Sequence, residues 1–556
     1  MRTASCPAPT RKERPHVYVT QQPTACPTCH ARVEARTVLR GGEVAELTYC
    51  PKCGAREDRL SADGRSWLDR FVARAPAGGV LKRTTSTCAQ CLALVEAAVV
   101  SRGGKVFLEK ACPKCGPSAA LASEDAAWYL GAYAHSRAGS VPLRRHARPA
   151  RGCPEDCGLC SDHEQHTCLP VVEVTDHCEL ECPICLVDNA QTRHMAPAHF
   201  AEMVDRLVAC EGTLESLALS GGEPTIHPHL LELLDLADRP EIGRVVILTN
   251  GLRLARDRAF AEQLKKRGTY VGLQFDGLSE AASVRLRGRD LRAEKAAALQ
   301  VLKELDIPTQ LIFTAMRGVN EAELGTAVRL LTAEPHILSL SVQPAAYAGR
   351  GGGVLAADPL DRLTIPGVIR AIDAQSGGSL GARDFYPLPC PSVHCVALTY
   401  LLTLDDGRCI PFSRFADLTA YTGLLRNSAT LPSVPEIEQA LKDIIYELFA
   451  RQEQIADSQA ILAALHRMVK QMFPGRPLGP KEMLQVGERQ AKSVFIHHYM
   501  DPHDFDLERL RKCCHHYPQE DGRLIPMCGF NLFHRGAAKG AGTPRAPWAS
   551  LPCPSE

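Results

Sequence analysis

Two hydrophobic periods alternate through the middle of the chain. Short apolar runs at Val171–Val174, Thr213–Leu219, Arg244–Leu248, Tyr270–Phe275, Gln310–Phe313 and Ile337–Val342 read as buried strands. Between them Phe200–Ala209, Leu230–Ala237, Phe260–Arg267, Lys295–Leu305 and Glu321–Leu331 repeat their apolar residues every three or four positions and read as amphipathic helices. This β-then-α alternation predicts a parallel sheet curled toward a barrel, with the residues that follow each strand gathered at one mouth. Upstream, Arg32–Leu39 with Val44–Tyr49, and Leu92–Val100 with Lys105–Leu108, are β-prone pairs around an Arg-Gly-Gly turn and predict two hairpins. Downstream, Pro435–Phe473 reads as one long helical stretch, and its apolar stripe (Ile437, Leu441, Ile444, Ile445, Leu448, then Ile461, Leu462, Leu465, Met468) reads as core.

The two hairpins are an internal repeat. Cys26, Cys29, Cys50 and Cys53 recur 62 residues later as Cys88, Cys91, Cys112 and Cys115, with Val-Glu-Ala, Arg-Gly-Gly and Cys-Pro-Lys-Cys-Gly at the same offsets. A hairpin that brings one Cys-x2-Cys pair onto the other makes a four-thiolate tetrahedron, suited to zinc or a single iron, and the spacing does not separate the two metals.

Composition changes the picture in one respect. The 556 residues carry 64 Lys+Arg against 63 Asp+Glu, a net charge of +1 that gives no general affinity for nucleic acid. No apolar run reaches the ~18 residues that span a bilayer, and the basic, polar N-terminus does not read as a secretory signal. Both point to the cytoplasm, with peripheral membrane contact left open. The 24 cysteines stand out. Most sit in tight Cys-x2-Cys or Cys-x3-Cys groups, which in a reducing compartment read as metal ligands rather than disulfides. Cys6, Cys210 and Cys553 fall outside such groups.

After the first barrel strand comes Cys178-x3-Cys182-x2-Cys185. Three thiolates hold three irons of a 4Fe–4S cubane and leave the fourth open to the amino and carboxylate groups of S-adenosylmethionine; reductive cleavage then yields a 5′-deoxyadenosyl radical. Gly221-Gly222-Glu223-Pro224 ends the second strand, Thr249-Asn250 the third, and Gln274 and Asp276 the fourth. Upstream lies Cys153-x3-Cys157-x2-Cys160, with Cys168 as the expected fourth ligand of a second cubane; His163 and His166 beside it read as surface polar residues more than as ligands. Past the barrel come Cys390, Cys395, Cys409, Cys513, Cys514 and Cys528, of which Cys390, Cys395, Cys514 and Cys528 are expected to hold a third.

The three-cysteine motif, the Gly-Gly-Glu-Pro loop and the strand-end residues follow the order of the radical S-adenosylmethionine superfamily, which the chain resembles. That resemblance implies an α/β fold: a partial (β/α)6 TIM-type barrel with two N-terminal rubredoxin-like or zinc-ribbon modules and a C-terminal auxiliary-cluster region. It also implies Glu223 and the neighbouring glycines at the methionine amine, and Thr249, Asn250, Gln274 and Asp276 at the ribose and carboxylate. The segments CPEDCGLC, HEQHTC, EVTDHCELECPIC, SGGEPTIHPHL, LQFDGL and DGRLIPMC are similar to the tetraether-lipid synthases, a group also described as hydroxymethylpterin methyltransferases. Three 4Fe–4S clusters, one or two mononuclear iron or zinc sites and an external donor (a reductase, ferredoxin or flavodoxin) follow from it.

The expected layout is a disordered tail over 1–20, ribbons over 21–80 and 81–135, a linker over 136–151 and an auxiliary-cluster segment over 152–170. The barrel follows over 171–355, then the C-terminal region over 356–535 and a disordered tail over 536–556. The leading expectation is radical coupling of lipid alkyl chains. The alternatives are methyl transfer to a pterin, radical peptide maturation and, outside enzymes, a metal-ribbon adaptor.

Overall fold

A computed structural model describes residues 11–73, 78–145, 152–187, 193–355, 358–428, 435–476, 478 and 480–535. Two antiparallel four-stranded sheets form the N-terminal part: β1 (Val17–Ala25), β2 (Arg32–Arg40), β3 (Glu43–Cys50) and β4 (Gly54–Ser61), then β5 (Gly79–Thr87), β6 (Leu94–Arg102), β7 (Lys105–Cys112) and β8 (Gly116–Ser123). They share one core with the helices Gly64–Val72 and Ala126–Gly131, built from Val19, Phe71, Leu81, Val99, Leu108 and Tyr133.

The tail expected over 1–20 is corrected where the structure describes it. Val17 already stands in a strand, and residues 11–14 are tied to 139–141 by backbone bonds from Arg14 N to Gly139 O and from Val141 N to Lys12 O. The cause is charge: His16 reaches the buried Glu164 at 3.1 Å and Arg14 approaches it at 3.4 Å. Residues 1–10, 146–151 and 536–556 of the expected tails and linker lie outside the described residues.

The third sheet is the barrel. Six parallel strands, β9 (Leu169–Thr175), β10 (Leu217–Gly221), β11 (Val245–Thr249), β12 (Tyr270–Gln274), β13 (Thr309–Ala315) and β14 (Ile337–Pro344), pair in chain order. Their inward residues and the covering helices bury a continuous core that includes Val172, Leu219, Ile247, Leu273, Phe313 and Leu340. Strand β10 starts four residues later than the apolar run suggested, because Thr213–Ser216 bridges to Ile242 through Leu214 before true pairing begins.

The sheet does not stop at residue 355. The C-terminal region adds β15 (Tyr386–Pro387), β16 (Val396–Thr403), β17 (Cys409–Pro411), β18 (Ala491–His497), β19 (His515–Pro518) and β20 (Leu524–Pro526). Strand β18 pairs parallel with β14, and β19 pairs parallel with β9 at the opposite edge. Where these two added strands approach, the rings of His497 and His515 meet edge to face at 4.7 Å. The C-terminal residues therefore extend the barrel wall.

The stretch 435–473 is two helices, Pro435–Ala450 and Ser458–Met472, rather than one. The break spans 451–457 and closes at Asp457, whose left-handed φ of 58° immediately precedes the second helix. Both helices bury their stripes against β16, as the pattern predicted, with Leu448, Leu465 and Met468 fully enclosed. Among the described residues no helix is long and apolar enough to cross a membrane.

The ribbons are docked by buried charge. Lys82 of β5 pairs with Asp506 at 3.0 Å and Glu508 at 2.7 Å, while Thr20, Thr84 and Tyr133 donate to the same two carboxylates. Lys110 of β7 donates to the carbonyls of Pro502 and His503. Arg36 of the first ribbon bridges Asp162 and Glu164. Both ribbons thus hold the cysteine-bearing segments in place.

Candidate active site and metal centres

The mouth of the barrel is built by the loops after the parallel strands. Strand β9 ends at Thr175 and delivers Cys178, Cys182 and Cys185, which sit among Leu180, Leu252 and Leu291. Burial pushes the Cys178 thiol up to about 12. A neutral thiol is thus favoured there until a metal cation replaces its proton.

The Gly-Gly-Glu-Pro loop is fastened directly to this cysteine loop. Gly222 N donates to Thr175 O and Glu223 N to His177 O, both at 2.7 Å. A Cβ on Gly221 would lie 2.1 Å from Thr175 O, and one on Gly222 would lie 2.1 Å from His177 O. Only glycine permits that approach.

Glu223 has a different job from the one its motif suggested. Its Oε1 accepts from Thr225 N, Thr225 Oγ1 and Thr249 Oγ1, and its Oε2 accepts from Asn250 N at 2.7 Å. With four internal donors the carboxylate staples β10 to β11, and Pro224 opens the buried turn behind it. The resemblance implied that this carboxylate receives the methionine amine; in this structure its four acceptor contacts are internal. Glu223→Gln should raise the Kd for S-adenosylmethionine roughly 10- to 100-fold, since a charge-assisted bond carries about 1.5–3 kcal/mol. Equilibrium binding of the cofactor checks this; an unchanged Kd would show that the staple does not shape the site.

Gln274 and Asp276 are likewise engaged. Asp276 Oδ1 accepts from Gln274 Nε2 at 2.8 Å and Thr314 N at 2.9 Å, and Oδ2 pairs with Arg287 at 2.6 Å. Thr249 spends its hydroxyl on Glu223, and its Oγ1 also accepts from Gly251 N. Asn250 is the exception: Oδ1 accepts from Leu252 N, but the buried Nδ2 has no partner. An unpaired donor at a strand end beside the cysteine loop fits an acceptor on a bound cofactor, and the donor set of the mouth fits S-adenosylmethionine on that observation.

Sequence reading missed two residues here. Arg287 lies between Asp276 and Cys182, its charge reinforced by that carboxylate. Lys295 is buried and donates to Asn250 O at 2.5 Å; burial and then Arg287 bring its ammonium down to about 8. Both lie on helices outside any motif, so their only signal was a cation in a helix flanking the mouth.

Further thiol groups are assembled away from the mouth. In each ribbon the four sulfurs lie within 4.8 Å of one another, with Cys29 to Cys50 at 3.5 Å and Cys91 to Cys112 at 3.7 Å. The backbone N–H groups of Cys29 and Thr28 bring Cys26 down to about 6, and that of Cys91 does the same for Cys88 against burial. Both ribbons fit a tetrahedral ion of zinc or iron.

The remaining thiols of the described residues sort differently from the sequence expectation. Cys153, Cys157 and Cys160 stay together, but Cys168 is not their fourth member. Cys168 gathers with Cys390 and Cys514, because the N–H groups of Cys168 and Leu169 both donate to Cys514 O and so set β19 beside β9. Cys395 and Cys528 lie outside that tight trio, and line a small cavity with Cys513, Cys514, Arg509, His497 and His515. Cys409 lies apart, on β17. Cys210 is buried in the barrel core.

Comparison with known proteins agrees with this architecture. The Radical SAM superfamily profile matches residues 148–331, and the HMPTM N-terminal zinc ribbon domain matches residues 80–124. The first ribbon lies outside that match. The chain is 27% identical over 503 residues, 82% of its length and 94% of the relative's, to a 7,8-dihydro-6-hydroxymethylpterin dimethyltransferase of Methanocaldococcus jannaschii. It is 28% identical over 172 residues to a GTP 3′,8-cyclase of Cronobacter sakazakii, spanning about half of that protein (51%) and 30% of this chain. Among solved structures, Streptococcus suis SuiB bound to S-adenosylmethionine aligns at a TM-score of 0.31 and 16% identity, over 37% of this chain and 46% of that one. A radical SAM methyltransferase from Sphaerobacter thermophilus aligns at 0.29 and 12% identity, over 57% and 80%.

Proposed function

Because the chain is a radical S-adenosylmethionine enzyme with an N-terminal zinc ribbon, we propose that it forms carbon–carbon bonds at unactivated sp3 carbons. When bound, the cofactor and its 4Fe–4S cluster supply a carbon radical able to take hydrogen from such a carbon. The chain's own residues do the positioning. Cys178, Cys182 and Cys185 would hold the cluster, the backbone of Gly221–Glu223 would receive the methionine amine, and Asn250 Nδ2 would donate to the cofactor. Arg287 and Lys295 bring positive charge beside the thiolates. Cys153, Cys157 and Cys160 hold a second cubane, and Cys395, Cys513 and Cys528 a third. Electrons come from an external donor such as a ferredoxin or flavodoxin.

The observation that carries the reading is the likeness to the M. jannaschii protein across 94% of that protein's length, whose name describes methylation of a pterin. It supports transfer of a methyl group to a reduced pterin. A separate feature favours lipid alkyl chains, the substrate first expected. An apolar cavity lies between the helix Pro435–Ala450 and β16, lined by Tyr400, Phe412, Leu424, Leu441, Ile444 and Met468. The same helix exposes Tyr446 and Phe449 on its outer face, as a protein that meets a membrane surface would.

One experiment separates the two. Reduced enzyme is given S-adenosylmethionine labelled with 13C in its methyl group, together with either dihydrohydroxymethylpterin or a dialkyl glycerol lipid. Label in the pterin supports methyl transfer, and a lipid dimer lacking label supports chain coupling. Neither product, with both substrates supplied to active enzyme, would refute carbon–carbon bond formation.

A further inference from the structure

Cys168, Cys390 and Cys514 lie on three segments more than a hundred residues apart, yet their sulfurs all fall within 4.8 Å of one another in the buried interior. Among the described residues, only the two ribbons gather thiols this tightly, while Cys178, Cys182 and Cys185 do not. The difference is chemical. A single tetrahedral ion brings its thiolates to an edge of about 3.8 Å at a Zn–S bond of ~2.3 Å. A cubane places each thiolate on a different iron and spreads them further apart. Here Cys168 Sγ and Cys390 Sγ approach to 2.7 Å.

A fourth donor stands beside Cys168, outside the tight group of three sulfurs. His166 Nε2 is 3.5 Å from Cys168 Sγ and also 3.2 Å from Asn427 O. Its other nitrogen, Nδ1, lies 3.0 Å from Glu211 Oε2, and Glu211 is in turn fixed by Thr167 N and by Arg11. A carboxylate on the far nitrogen is the arrangement that sets the tautomer and ring direction of a metal-binding histidine. Gln165 closes the site from the other side, donating to Cys390 O at 2.8 Å and accepting from His166 N at 3.0 Å.

We propose that His166, Cys168, Cys390 and Cys514 form a mononuclear metal site for one zinc or iron ion, separate from the cubanes, with Glu211 positioning His166. The ion fastens the first barrel strand to the C-terminal segments that widen the barrel. It is a folding element, and it stands whichever substrate the radical attacks.

The test is metal content by mass spectrometry on protein purified anaerobically, beside its absorption spectrum. His166→Ala should lose about one metal ion per chain with its iron–sulfur absorption unchanged, and His166→Cys should regain that ion. Glu211→Gln, which keeps all four ligands, should weaken retention of the ion against a chelator by about 10- to 100-fold; this variant serves if His166→Ala does not fold. Full metal retention in His166→Ala, loss of iron in steps of four, an unchanged chelator profile in Glu211→Gln, or a Cys168–Cys390 disulfide in the anaerobic protein would each overturn the proposal.

Discussion

Cys182→Ala protein, reconstituted anaerobically with iron and sulfide, should hold about four fewer irons than the roughly twelve expected of three cubanes. It should also form no 5′-deoxyadenosine from S-adenosylmethionine under reducing conditions. Cys182 is the most enclosed of the radical trio, packed among Leu180, Leu252 and Leu291. Cys210→Ala provides the control: that thiol is equally buried but sits in the barrel core, and its loss should leave iron content and product unchanged. Iron analysis and chromatography of the nucleoside read both outcomes. Product formed by Cys182→Ala at the wild-type rate would remove the trio from the chemistry.

Arg362→Ala should produce the largest loss of stability of any single change considered, on the order of 3–5 kcal/mol. Arg362 is almost fully enclosed and donates to Asp501 Oδ2 at 2.8 Å and to Ala345 O at 3.3 Å, with Asp504 at 3.6 Å. Its guanidinium also lies over the ring of Tyr347. Removing it strands two buried carboxylates at the point where the end of β14 meets the segment after β18. Denaturant unfolding of the metal-loaded protein measures the loss, and a shift under about 1 kcal/mol would show that the carboxylates are otherwise satisfied. Arg362→Met should be milder if added volume offsets part of the loss.

The ribbons, the radical trio and the six barrel strands were legible because each obeys a local rule. Metal knuckles repeat at fixed spacing, buried parallel strands are short apolar runs, and the Gly-Gly-Glu-Pro loop carries its own conformational requirement. What was not legible was long-range. Cys168 reads naturally with Cys160, eight residues away, yet the register of β19 against β9 gives it to Cys390 and Cys514. Glu223 reads as a ligand residue, yet its carboxylate is consumed by Thr225, Thr249 and Asn250. The extension of the sheet by β18 and β19 escaped notice because those strands are separated from the barrel by some 150 residues of other structure. Local pattern marked the clustered cysteines; sheet register determined which of them come together.

The most direct measurement of radical attack on carbon is the fate of a deuterium label. Enzyme reduced anaerobically is supplied with S-adenosylmethionine and with a candidate substrate, pterin or alkyl lipid, deuterated at its sp3 carbons, and the 5′-deoxyadenosine is analysed by mass spectrometry. Deuterium carried into the nucleoside from one of the two substrates is the expected result. Nucleoside formed in quantity but free of deuterium with both would contradict hydrogen abstraction from an unactivated carbon.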